Sequence, residues 1–336
     1  MENEIRNFIG IDISKTTFDV ALIKNGDKSN ILSKQFENNK SGFNEFAAWL
    51  TLELGALDVQ TLFCMEYTGI YNYLLCDFLL GLNVRICIET ALNIIHSLGM
   101  LRGKNDKVDA VRIANYASKN AADLRIWNKS QEGIIQLKHF LGTRDRLIKS
   151  KVVLETPVNE LREIGINRTA NMLHNVQYKV IRELKKSIAE VEKHIQEVIE
   201  SDQEIKKNFD RITSIPGIGK INAWHWLCVS QNFTRFSNAK QMACFCGVAP
   251  FERTSGSSIR GKARVSSLAN KTLKKLLHMA AMSAIQSDQE LKIYYQCKVE
   301  SGKNKMSVMN AVRNKLAHRI FAVIRDQRNY EYRPAA

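Results

Sequence analysis

The chain has no apolar run approaching the ~20 residues that a bilayer-spanning helix needs, and its N-terminus has no signal-peptide pattern. The expectation is a cytoplasmic protein with no membrane partner. Its seven cysteines, Cys64, Cys76, Cys87, Cys228, Cys244, Cys246 and Cys297, include no Cys-x-x-Cys pair and are odd in number. That pattern argues against a zinc site or a disulfide framework and describes reduced core thiols. Carboxylates are in short supply: Asp and Glu total 34 against 49 Lys and Arg, a formal net charge of +15. From Phe251 to Ala336 the imbalance is 17 Lys or Arg to 6 Asp or Glu, so most of the excess lies in the last quarter. A surplus of this size calls for a polyanionic partner and, without a membrane signature, that partner is nucleic acid.

What is present is otherwise ordinary. Apolar residues make up 45% and charged residues 25% of 336 positions, the composition of a globular protein with two or three domains. Residues 1–128 alternate strand and helix patterns. Three extended runs with short turns come first, followed by helix, strand, helix, strand and helix, which predicts a mixed α/β sheet of the ribonuclease-H-like kind. Residues 129–209 are helical throughout. Ile181, Leu184, Ile188, Val191, Ile195 and Val198 are spaced 3, 4, 3, 4, 3, a heptad seam that suits an antiparallel hairpin, a dimer interface or both. Pro157, Gly165 and Asn167 mark expected breaks. Residues 210–336 form a third, mostly α-helical unit interrupted by a basic, glycine-punctuated loop from Gly247 to Arg264.

The first strand, Phe8-Ile9-Gly10-Ile11-Asp12-Ile13, carries a carboxylate in an apolar run. Such a group needs a cation, a metal or a cleft around it. Gly10, two positions earlier on the same face, leaves room for a metal or a phosphate to approach. Glu66 ends a second apolar strand, and Asp106 and Asp109 are spaced to share one face of a helix. Singly, each has a plain explanation, as a helix cap for instance. Together they form a hard-oxygen cluster suited to Mg²⁺ or Mn²⁺, and two such ions can clamp both oxygens of a phosphodiester exchange. Ser255 is the candidate nucleophile, with no histidine beside it in sequence to act as base. Arg253, Arg260, Lys262 and Arg264 around it can hold a phosphate, or the segment can simply be a flexible loop. Gly217 and Gly219 lie in a short turn between helical patterns; either it presents N–H groups to a phosphate or it is an ordinary helix–helix turn. Lys104 and Lys107 flank Asp106 and complete the expected nucleic-acid contacts.

Five segments occur in one order: Gly10-Ile11-Asp12-Ile13-Ser14-Lys15, Met65-Glu66-Tyr67-Thr68-Gly69-Ile70-Tyr71, Lys104-Asn105-Asp106-Lys107-Val108-Asp109-Ala110, Ile215-Pro216-Gly217-Ile218-Gly219 and Ser255-Gly256-Ser257-Ser258-Ile259-Arg260-Gly261. In this combination the chain resembles the DEDD transposases of insertion sequences, which are also similar to Piv-type DNA invertases. The resemblance spans nearly the whole length. It implies a RuvC-like N-terminal domain, a coiled-coil middle and a C-terminal transposase domain. It gives Asp12, Glu66, Asp106 and Asp109 the family's metal-binding positions, and Ser255 the nucleophile that links covalently to DNA. It further implies donor and target DNA as substrates, a structured noncoding guide RNA, and a homo-oligomer, dimer or tetramer, joined through the coiled coil. Tyr67 stands where a small residue is expected, leaving the carboxylate untouched. Three alternatives remain: an invertase of the same chemistry, a non-catalytic nucleic-acid-binding protein, and an actin-like ATPase or sugar kinase, whose phosphate loop Gly10–Lys15 also resembles. The last would need a second glycine-rich phosphate loop, which is missing.

Overall fold

The computed structural model describes residues 4–82, 84–97, 106–129, 131–255, 259–265 and 268–332, with the backbone alone at 106, 107 and 252–264. The chain divides into two compact units, Met1–Lys129 and Ser130–Ala336.

In the first unit the elements run β1 (Asn7–Ile13), β2 (Thr17–Ile23), β3 (Ile31–Glu37), α1 (Lys40–Leu54), β4 (Thr61–Glu66), α2 (Asn72–Leu80), β5 (Arg85–Glu89), α3 (Ala91–Ser97) and α4 (Asp106–Asn120). The sheet order is β3-β2-β1-β4-β5. β1, β2 and β3 form an antiparallel meander, and β4 and β5 run parallel to β1. This mixed sheet is consistent with the ribonuclease-H-like expectation. Strand alternation sends Ile9, Ile11 and Ile13 into one core with Phe18, Val20, Phe43, Phe46, Leu50 and Leu75, under α1 and α2. The opposite face carries Phe8, Ala21, Ile23, Leu62, Cys64 and Cys87 against Ala110, Ile113, Ala114 and Ala117 of α4. A sheet covered on both faces explains why β1 and β4 are almost continuously apolar. α1 begins where Asn39 accepts a hydrogen bond from the Gly42 N–H at 3.0 Å, a side-chain cap worth about 1 kcal/mol.

The second unit contains α5 (Glu132–Glu163), α6 (Asn167–Ser201), α7 (Gln203–Thr213), α8 (Lys220–Ser230), α9 (Ala239–Phe245), β6 (Pro250–Ser255), β7 (Ile259–Val265), α10 (Lys271–Ser287), α11 (Gln289–Glu300) and α12 (Lys305–Arg325). α5 and α6 form a long helical hairpin that turns at Gly165, whose φ of +82° suits glycine. Within the heptad seam Ile181, Ile195 and Val198 are buried, while Leu184, Ile188 and Val191 are half-buried. The root of the hairpin shares one core with the later helices: Leu137, Leu141, Ile195 and Ile199 join Trp224, Trp226, Leu277 and Leu316. Arg144 of α5 reinforces that root. Its Nε donates to Glu192 on α6 at 2.8 Å, and its guanidinium lies over the Trp224 ring at 5.9 Å.

Two expectations are corrected here. Pro157 does not break the helix: α5 continues through it, because the loss of one backbone hydrogen bond is borne within a long helix packed along α6. The basic segment is not a loop: most of it forms the antiparallel β6–β7 pair, with Ser255 opposite Ile259 and Thr254 opposite Arg260. Serine and glycine occur at hairpin ends as well as in loops, and β-branched Ile259 and Val265 bound the return strand. All seven cysteines are free. Among the described residues no helix is long and apolar enough to cross a membrane.

Candidate active site

The site is built on the face of the sheet that α4 covers, at the carboxyl ends of β1, β4 and β5. Asp12 lies directly opposite Asp19 in the antiparallel β1–β2 register. The parallel β1–β4 pairing ends at Ile11 opposite Met65, so Asp12 and Glu66 are the next residues of two adjacent strands. Glu66 in turn lies opposite Glu89. Four carboxylates, Asp19, Asp12, Glu66 and Glu89, therefore make a row on one face, since opposed residues share a face in either kind of pairing. On the far side Gln35 of β3 donates from Nε2 to Asp19 at 2.9 Å. At the other end Asn93 Nδ2 donates to Glu89 at 2.7 Å. A hollow of about 100 Å³ opens among Asp12, Ile13, Ser14, Thr17 and Asp19.

Asp12 is half-buried at a strand end, not enclosed in the core, because the apolar residues of β1 alternate away from it. Gly10 also proves to have a different role from the one expected. A Cβ there would overlap the backbone of Ala110 and Ala114, so the space belongs to α4 and is closed to a metal or a phosphate. The glycine instead lets a helix lie directly on the central strand. That contact brings in Asp109, the residue before Ala110. Asp109 Oδ1 accepts from Arg112 Nη1 at 2.5 Å, so one of its oxygens is already engaged by a cation of the same helix. The backbone of Asp106 opens α4 one turn earlier. Lys107 follows it in the same turn, and Lys104 lies outside the described residues.

The row's negative charge reaches its neighbours. Cys64 and Cys87, one turn of alternation inward from Glu66 and Glu89, share a hydrogen bond that, with burial and the nearby Glu89 charge, pushes the Cys64 thiol well up. Burial, with help from Glu89, raises the Tyr116 phenol to about 12. Asp19 and Glu89 were not picked out by sequence reasoning. The signal was there for Glu89: β4 ends Cys64-Met65-Glu66 and β5 ends Cys87-Ile88-Glu89, the same ending on neighbouring strands.

Like charges placed directly opposite one another on a sheet repel. Oxygen donors crowded in this way fit a hard divalent cation in kind. Among the described residues, however, no group of three or more His, Cys, Asp or Glu side chains is gathered closely enough to hold a metal. Asp12 and Glu66 provide a pair of donors, and further ones would come from α4.

In the second unit the predicted residues are dispersed by role. Ser255 is the last residue of β6, with Arg253 opposite Gly261, while Arg260, Lys262 and Arg264 all lie on β7. Gly217 has φ +85°, and a Cβ there would lie 2.6 Å from the Ala280 carbonyl oxygen, so this glycine serves the packing of the α7–α8 turn against α10. Gly219 is different: nothing lies near its missing side chain, and it stands at the N-terminus of α8, which no side chain caps.

The family matches define the class, an enzyme that cuts and transfers DNA strands. The family model for DEDD transposases of the IS110 group matches residues 9–163, and the model for the IS116/IS110/IS902 transposase family matches residues 209–296. The chain belongs to the DEDD transposase family of insertion sequences. It is 28% identical to the pilin gene-inverting protein of Moraxella lacunata over 333 residues, covering 98% of each chain. It is 23% identical to the transposase for insertion sequence element IS1111A of Coxiella burnetii, across 46% of this chain and 47% of that one. Identity to the IS900 42 kDa protein of Mycobacterium paratuberculosis is 22%, over 96% of both chains.

Proposed function

We propose that the protein breaks and rejoins DNA strands with two sets of residues, an acidic cluster formed by Asp12, Glu66, Asp106 and Asp109 and a serine nucleophile at Ser255. The observation that carries this reading is the carboxylate row at the end of the sheet, in the stretch that matches the DEDD model. Asp12 and Glu66 would hold Mg²⁺ or Mn²⁺, with Asp109 and Asp106 of α4 as the further ligands. For Asp109 this requires its free oxygen or the release of Arg112. A bound ion would supply charge neutralisation and Lewis-acid polarisation of a phosphodiester oxygen. The Ser255 hydroxyl then attacks phosphorus: a serine–phosphate bond forms, the bond from phosphorus to the leaving strand's oxygen breaks, and that oxygen takes up the proton the serine hydroxyl gives up. Arg253, Arg260, Lys262 and Arg264 hold the phosphate, while Lys104, Lys107 and the open Gly219 turn contact backbone phosphates elsewhere. Segments 129–209 and 210–336 act as an arm and a catalytic part.

The net charge of +15 suits a protein carrying a structured guide RNA as well as donor and target DNA. The α5–α6 arm supports self-association into a dimer or tetramer: Val152, Val153, Met172, Val176 and Val180 are all exposed along it. A second reading, inversion of a fixed DNA segment, is favoured by the end-to-end likeness to the pilin gene-inverting proteins. One experiment separates these. The protein is purified with its bound nucleic acid, which is sequenced, and is then given a plasmid carrying both a mobile-element junction and an inverted-repeat segment. A co-purified RNA together with element insertion supports guided transposition; inverted product without RNA supports the invertase. Neither product, with random nucleic acid recovered, refutes both.

A further inference from the structure

The β1–β4 ladder ends one residue before Asp12 and Glu66, so these residues are paired on their outer sides, with Asp19 and Glu89, and no sheet pairing joins them to each other. Asn72, the first residue of α2, is only 3% exposed, and both polar atoms of its amide are hydrogen-bonded. Its Nδ2 donates to the Glu66 carbonyl oxygen at 2.9 Å. Its Oδ1 accepts from the backbone N–H and the hydroxyl of Thr68, each at 2.8 Å. The same peptide group is gripped from its other side, where the Tyr67 N–H donates to the Glu89 carbonyl at 2.8 Å. Both polar atoms of the 66–67 peptide are therefore pinned, which fixes ψ of Glu66 and with it the direction of its side chain. Asn38 extends the brace to the other strand. Its Nδ2 donates to the Ser14 carbonyl at 2.9 Å and to the Tyr71 carbonyl at 3.3 Å, tying the end of β1 to the residue before Asn72.

We propose that Asn72 is a positioning residue of the acidic cluster, aiming Glu66 at the divalent cation through its hydrogen bond to the Glu66 carbonyl, with Asn38 joining that brace to the Asp12 strand. This rests on the reading of Glu66 as a metal-binding carboxylate. A buried amide whose every partner belongs to the segment around one acid does for that acid what outer hydrogen-bond partners do at metal sites, where their removal costs about 10–100-fold in affinity or activity.

The test uses full-length protein, Mn²⁺ alone as the probe, and electron paramagnetic resonance to read the binding midpoint, with melting temperature and Mg²⁺-dependent strand cleavage measured alongside. Asn72→Leu keeps the side-chain shape and removes all three hydrogen bonds. It is expected to raise the Mn²⁺ midpoint by about tenfold and to leave a cleavage defect that excess metal partly repairs. Thr68→Val removes one donor to Asn72 and is expected to shift the midpoint the same way by less; it decides the matter if Asn72→Leu does not fold. Glu66→Gln is the control on the underlying reading. If Glu66→Gln binds and cleaves as wild type, the metal role of Glu66 is wrong. If Glu66→Gln is impaired while folded Asn72→Leu and Thr68→Val both keep the wild-type midpoint, whatever their melting temperatures, the positioning role is overturned and Asn72 is a structural residue only.

Discussion

The two units carry the proposed reactive groups on very different supports. In the first, Asp12 and Glu66 leave the ends of central strands in a five-stranded sheet buried on both faces, and the nearest helix lies against the strand backbone at Gly10. In the second, Ser255 ends one strand of a two-stranded hairpin. An isolated pair of strands is marginally stable in water, whereas a covered central strand can move only if the core moves. The strand ends that carry Asp12 and Glu66 are thus held by the sheet and its two cores, while the strand that ends at Ser255 has one partner strand among the described residues. Under the proposed roles, the contrast suits a reaction in which metal and phosphate are gripped first and the nucleophile is delivered afterwards.

Removing one group from each side should break the reaction in distinguishable ways. Asp12→Asn is expected to lower Mg²⁺-dependent strand transfer by at least about a thousandfold while leaving the fold intact. Ser255→Ala should be as damaging to transfer and should also eliminate any protein–DNA adduct on a denaturing gel. An adduct at full yield in Ser255→Ala would remove the nucleophile from that hairpin. Normal Mg²⁺-dependent transfer by Asp12→Asn would mean that the row of acids is structural.

The basic second unit should dominate the response to salt. If six to ten phosphates are neutralised, affinity is expected to fall by about 10³–10⁵ between 50 and 200 mM salt. Changing Arg260, Lys262 and Arg264 together to Gln should flatten the log–log slope by about three, measured by filter binding. An unchanged slope would place the phosphate contacts elsewhere.

The sheet was readable in the sequence because its strands are short, apolar and β-branched. The three extended runs expected at the start of the chain correspond to β1, β2 and β3, and the apolar strand ending at Glu66 to β4. Glu66 was legible from its place at the end of an apolar strand and Asp12 as the one carboxylate in its apolar run, though not its position near the strand end. Asp19 was hidden because its meaning depends on cross-strand register, which no local pattern reveals. Gly10 was misread for a related reason: a missing side chain announces close approach but not by what, and α4 comes from a hundred residues downstream. The β6–β7 hairpin was obscured by its own turn chemistry, since serine and glycine mark loops and hairpin ends alike.

Two glycines carry the comparison of supports further. Gly10→Ala drives a methyl into the backbone of α4, and Gly217→Ala combines a φ of +85° with a Cβ 2.6 Å from the Ala280 oxygen. Each is expected to cost about 1–3 kcal/mol in urea unfolding. Their functional effects should diverge. Gly10→Ala displaces the helix bearing Asp109 and should weaken Mn²⁺ binding, while Gly217→Ala should leave that midpoint unchanged. Equal effects on metal binding would show that the first unit is no more rigid a support than the second.

The smallest predicted effect concerns pH and separates the units by stability. Arg313 of α12 is 7% exposed, and its Nη2 meets His278 Nδ1 of α10 at 2.8 Å, a contact that requires the imidazole nitrogen to be the acceptor and hence the ring to be neutral. Burial and the neighbouring Arg313 charge hold His278 below its usual value of 6.5. Burial likewise lowers His225. A histidine whose folded value is depressed binds fewer protons folded than unfolded. Its contribution is therefore present above about pH 6.5 and is lost as pH falls through the folded value. The second unit should accordingly melt at a lower temperature at about pH 5 than at about pH 7.5. His278→Asn keeps an oxygen acceptor near the Nδ1 position without titrating, so it should reduce this dependence, leaving the part due to His225. A pH slope in His278→Asn as steep as in the wild type would assign the effect to other groups and leave the Arg313 contact without a role in it.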